Sequence, residues 1–154
     1  MYLWLVFVHL VGFALFLLMH GVSLWVAFRV RRTTDPGLAR ELLALSARGN
    51  QAMYIGLLLL GIGGLGAAAN AGLLSAGWVI ASYIVLAIVF IAMYAIGAGY
   101  YYPLREALAA TDGAAAIDGT ELTRRLDNRR PELLAGIGLG GLGILVWLMV
   151  LKPF

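Results

Sequence analysis

Residues 2–32 read YLWLVFVHLVGFALFLLMHGVSLWVAFRVRR, and this stretch decides the fold class. From Tyr2 to Phe28 no charged side chain appears; Arg29, Arg31 and Arg32 then follow within one helical turn. A helix rising 1.5 Å per residue needs about 20 apolar residues to cross about 30 Å of hydrocarbon. Residues 2–28 exceed that length, so they predict a membrane span. A cleaved signal peptide carries its basic residues ahead of the apolar run. Here they follow it, which predicts an uncleaved anchor with its N-terminus outside.

Three further apolar runs share this character: residues 52–74, 77–102 and 133–151. Hydrophobic residues make up 62% of the 154-residue chain and charged residues 12%. A soluble domain of this size could not bury such an excess, so lipid must be the main solvent. Within lipid the spans must be helical, because an isolated strand would leave its backbone groups unpaired. The strand-period alternation of a membrane barrel is absent. The expectation is one all-α domain over residues 1–154, an integral membrane four-helix bundle in contact with the lipid bilayer.

The charges set its orientation. Arg29, Arg31, Arg32, Arg40 and Arg48 lie on the first connection, and Arg105, Arg124, Arg125, Arg129 and Arg130 on the third. The short second connection, around Ser75–Ala76, has none, and Lys152 stands alone near the end. The positive-inside rule therefore makes both long connections cytoplasmic and both termini non-cytoplasmic, as expected for a bacterial inner-membrane protein. The net charge of +3 belongs to these loops and requires no nucleic-acid partner.

Each cytoplasmic loop predicts a short amphipathic helix. Pro36 suits the first turn of one over residues 37–48, with Leu38, Leu42 and Leu45 toward the membrane surface. A second is expected over residues 121–128, between the turn-like Thr111-Asp112-Gly113 and Asp118-Gly119-Thr120 and the helix-opening Pro131. Gly136 and Gly140, four apart on the last span, predict close packing, inside the bundle in preference to a seam between two copies. Tyr2, Trp4, Trp78, Trp147 and Tyr100-Tyr101-Tyr102 predict interfacial aromatic belts.

With no cysteine in the chain, disulfides and thiolate chemistry are excluded. No nucleophile–base pair or phosphate-binding loop is present. No Asp, Glu, Lys or Arg lies deep in a span, which argues against an ion-coupled transporter. The titratable groups at depth, tyrosines aside, are His9 and His20. Eleven residues of helix separate them by about 16.5 Å and leave them about 20° apart in azimuth. They share a face of the first helix, and Gly12 on that face leaves room for a flat ligand. A neutral imidazole can hold a haem iron, so His9 and His20 are candidate cofactor ligands, with His9 the candidate metal ligand. Met93, Met53 or Met149, or the same histidine of a second copy, would complete the iron. The alternative for each histidine is a hydrogen bond to a backbone carbonyl, Ser82, Asn70 or a tyrosine.

The opening Met1-Tyr2-Leu3-Trp4-Leu5 with His9 resembles the start of the four-span HemJ family of protoporphyrinogen oxidases. The Gly77-Trp78 start of the third span and the ending Leu151-Lys152-Pro153-Phe154 are similar too. The wider likeness is to small membrane proteins that include the copper-resistance D domain. The HemJ resemblance implies haem b, bound with a first-span histidine that His9 matches and a third-span lysine. Residues 77–83, GWVIASY, hold no lysine, a departure from the oxidase pattern. The copper-resistance resemblance implies copper; His9, His20 and Met19 are chemically compatible, although Met19 lies about 100° around the helix from His20. Three functional expectations follow: haem b on His9 with a redox or porphyrin-related role; a non-catalytic accessory or scaffold subunit of a homodimer or larger membrane complex; and copper handling.

Overall fold

The computed structural model describes residues 1–109 and 118–154, so the predicted Thr111-Asp112-Gly113 turn lies outside the described residues. Among the described residues five helices follow in order: α1 (Tyr2–Val30), α2 (Pro36–Asn70), α3 (Gly77–Ala109), α4 (Gly119–Leu126) and α5 (Arg130–Leu151). All but α4 are long and apolar enough to cross a membrane, and the chain is an integral membrane helical bundle.

The helix ends follow local chemistry. Asp35 caps α2, its Oδ1 accepting from the Gly37 N–H at 2.8 Å, and Pro36 occupies the first turn. Asp118 caps α4 in the same way through the Glu121 N–H at 2.7 Å. In α4 Arg124 and Arg125 both bond Glu121, which holds that exposed carboxyl down to about 2. Gly72, at φ +70°, turns the chain between α2 and α3 in a conformation open to glycine without strain.

The largest differences from the expected helices are the start of α2 and the end of α3. The predicted surface helix over residues 37–48 and the span over residues 52–74 form one uninterrupted helix, α2. No proline interrupts residues 37–70. Ala39, Leu42 and Leu43 find protein partners instead of a membrane surface, while Leu45 points outward, 49% exposed. Similarly, α3 runs through Pro103 to Ala109, because Leu104 and Leu108 are buried beyond the apolar run. These extensions build a core with Val26 and Val30 of α1 and Leu122 and Leu126 of α4. Tyr100 is buried in that core, so it is not part of an aromatic belt; Trp4 and Trp147 are exposed as a belt requires.

The bundle consists of two tight antiparallel pairs, α1 with α2 and α3 with α5, and the pairs touch each other sparsely. Without a hydrophobic driving force in lipid, close pairing depends on backbones approaching over small residues. A Cβ at Gly56 would lie 2.7 Å from the Phe16 nitrogen, and one at Gly63 would lie 2.6 Å from the His9 nitrogen. In α5 the packed glycines are Gly138, against His20, and Gly141, against Val89. Gly136 and Gly140 have nothing within 4 Å and lie on the outside of the bundle, contrary to the expected packing role. The four-residue spacing was a sound reason to place them on one face; it could not say which face α5 turns inward.

The Phe154 carbonyl accepts from the Trp78 N–H at 3.3 Å, and Lys152 Nζ sits 5.5 Å from the Trp78 ring centre. The C-terminus and the α2–α3 turn therefore share one end, and the basic connections occupy the other. There Arg31 bonds Glu132 at 2.7 Å, tying the end of α1 to the start of α5. Glu132 is half exposed, so water screens this bridge and it contributes little to stability. Because the chain has no native cysteine, single-cysteine variants can test orientation. S75C should react with a membrane-impermeant maleimide in intact cells, and T120C only after permeabilisation; the reverse pattern would overturn the positive-inside orientation.

Candidate functional site

The two histidines on α1 meet different neighbours. His9 enters the α1–α2 seam, where its Nδ1 donates to the Leu60 carbonyl at 2.7 Å. A carbonyl only accepts, so Nδ1 carries the proton and the lone pair of the neutral ring sits on Nε2. The ring lies beside Gly64, where an added Cβ would come within 2.8 Å of Nδ1 and 3.4 Å of the Tyr83 hydroxyl. Ser82 and Tyr83 bond elsewhere, to the Trp78 and Gly61 carbonyls. Gly12 gives no room to a flat ligand. A Cβ there would collide with the backbone nitrogen of Leu60 and lie 2.7 Å from the Gly56 oxygen, so α2 itself fills that space.

His20 faces the gap between the helix pairs. It is 8% exposed and stacks on Phe16, with ring centres 5.6 Å apart and planes inclined by 10°. Its Nε2 is buried with no hydrogen-bond partner among the described residues. That atom points at Gly138 of α5, and the methyl of Met93 approaches the same point. His20 and Met93 are thus brought together, whereas His9 lies in a separate seam. Met149 does not join them on the cavity wall, and Met19 lies against Gly49 of α2.

His20 and Met93 form part of the wall of a cavity of about 200 Å³ between the pairs. Phe16, Met53, Tyr54, Phe90 and Tyr94 continue an apolar and aromatic lining. Toward the basic end the lining turns polar at Ser23, Asn50 and Arg105. Ser23 and Asn50 meet at 3.4 Å, a long contact that leaves the amide N–H₂ of Asn50 available to another acceptor. The Val26–Leu43–Leu104 core closes the bundle at that end.

Sequence reasoning missed Asn50, Phe16 and the three-helix convergence around His20. Asn50 carried a usable signal, as a polar residue at the head of the apolar run that begins at Ala52. The gap itself depends on how the helix pairs pack. Among the described residues no group of three His, Cys, Asp or Glu could hold a metal ion. Comparison with protein-family models, with curated proteins and with solved structures finds no match for the chain.

Proposed function

We propose that this membrane protein binds a small ligand inside the bilayer, in the cavity between its two helix pairs, with His20 as the polar anchor. The carrying observation is the His20 Nε2, buried in a cavity wall without a hydrogen-bond partner among the described residues. A buried polar atom left unpaired costs about 1–3 kcal/mol, and a bound ligand that pairs it removes the cost. Native mass spectrometry of gently solubilised protein tests the reading. A small molecule retained by the wild type and by His9→Phe, but lost from His20→Phe, is expected. Loss from His9→Phe alone would move the site to the α1–α2 seam.

Haem b is a second reading, favoured by one observation. The Leu60 carbonyl holds the proton on Nδ1 of His9 and leaves Nε2 as the iron-binding atom, the arrangement usual for ligating histidines. When bound, haem would supply one-electron chemistry. The cavity beside His20 does not fit this group: about 200 Å³ is below the roughly 300–1,000 Å³ of drug-sized ligand sites, and a four-ring macrocycle exceeds it. On the His9 face α2 fills the space beside Gly12, so the structure offers no ready slot for the macrocycle there either, and an oxidised-against-reduced visible spectrum tests the reading. A Soret band lost in His9→Ala supports it, and no Soret band after expression with ample haem overturns it.

A further inference from the structure

We infer that the cavity takes the head group of a lipophilic quinone, a one-ring carbonyl compound delivered from the bilayer. This identification rests on the reading that the His20 cavity is a ligand site.

Size comes first. An apolar cavity of about 150 Å³ holds benzene, and sites for drug-sized molecules begin near 300 Å³. A volume of about 200 Å³ therefore matches one substituted ring. The route of access comes second. Tyr54, Phe90 and Tyr94 line the cavity yet remain 44%, 42% and 56% exposed, so the cavity opens sideways at the sparsely packed α2–α3 seam. That opening lies along two membrane-spanning helices, so its solvent is lipid and its ligand is lipid-soluble. An isoprenoid tail could leave through the same gap, past the Tyr54–Phe90 edge contact at 6.4 Å.

Polar chemistry narrows the class. Both far-edge atoms of the His20 ring, Nε2 and Cε1, lie against Gly138, so a change of χ1 rotamer is what turns Nε2 toward a ligand in the cavity. A protonated Nε2 donates to a quinone carbonyl, and the other tautomer accepts from a quinol hydroxyl, so His20 can bond both redox forms. The amide N–H₂ of Asn50 is a further donor on the wall. The Met53 and Met93 thioethers supply polarizable contacts suited to an aromatic ring. A plain hydrocarbon ring would leave the His20 nitrogen as unpaired as it is now.

Thermal unfolding in detergent, followed with decylubiquinone and with decylbenzene, tests the inference. Decylubiquinone should raise the midpoint saturably and bind about tenfold more tightly than decylbenzene, the effect of one or two hydrogen bonds. His20→Phe should remove that advantage, and His20→Gln, which keeps a donor, should restore part of it. Ala98→Phe, which fills the cavity, should abolish binding of both compounds. Equal binding of the two compounds to wild type and His20→Phe, still blocked by Ala98→Phe, would overturn the quinone and leave the cavity as a ligand site. Failure of both compounds to bind wild type, or binding unaffected by Ala98→Phe, would overturn the quinone site. A different small molecule retained by wild type and lost from His20→Phe would then leave the cavity reading standing without the quinone.

Discussion

Gly12→Ala should separate α1 from α2 and lower the stability of the detergent-solubilised protein by about 3 kcal/mol, the upper end of overpacking costs. The added methyl meets the backbone of Leu60, Leu59 and Gly56, and no side-chain rotation can clear a backbone atom. The helices would have to move apart, weakening the contacts at Gly56 and Gly63 along the same seam. The damage should also reach His9, whose hydrogen bond ends on the carbonyl of the same Leu60. Gly136→Ala and Gly140→Ala provide the comparison. Both sites are open, so alanine there should be neutral or stabilising by up to about 1 kcal/mol through helix propensity. Equilibrium unfolding of the three variants checks this. A Gly12→Ala protein as stable as wild type would show that α1 and α2 do not pack through Gly12.

His20→Phe should produce opposite effects on stability and binding. Phenylalanine keeps an aromatic ring against Phe16 and removes the unpaired nitrogen. The ligand-free protein should therefore gain about 1 kcal/mol, near the low end of the cost of a buried unsatisfied group because the larger ring presses on Gly138. The same variant should lose the stabilisation that the cavity ligand confers on wild type, an exchange of stability for function common at binding sites. Thermal unfolding with and without ligand measures both terms. A variant destabilised when empty, with ligand response intact, would identify His20 as a packing residue. His9→Phe should behave differently, because it removes the second hydrogen bond to the Leu60 carbonyl, beside the helical one, and gives no compensation.

These two residues show how far the candidate site was legible. The sequence puts His9 and His20 on one apolar helix, and their eleven-residue spacing puts them on one face of it. Helical periodicity relates residues on one helix to each other and carries no information about the opposite surface. His9 found the α2 backbone, and His20 found a gap walled by α2, α3 and α5. Gly12 was legible as a small residue on the His9 face; that another helix occupies its space was not. The Gly136–Gly140 spacing has the same ambiguity, since small residues ease any close approach, and in α5 the neighbours used Gly138 and Gly141 instead.

The four spans, the helical state of the chain within them and the gathering of basic residues at one end were determined by sequence alone. Each follows from a local transfer energy: apolar side chains into hydrocarbon, paired backbone groups in lipid, and arginines kept in water. Tertiary structure decided where α2 and α3 end, because leucines beyond the hydrocarbon remain helical only when protein buries them. It also decided that the bundle is two tight pairs with a gap between them. Pairing depends on which backbones can approach to within a glycine's width, a property of two surfaces that neither helix carries in its own sequence.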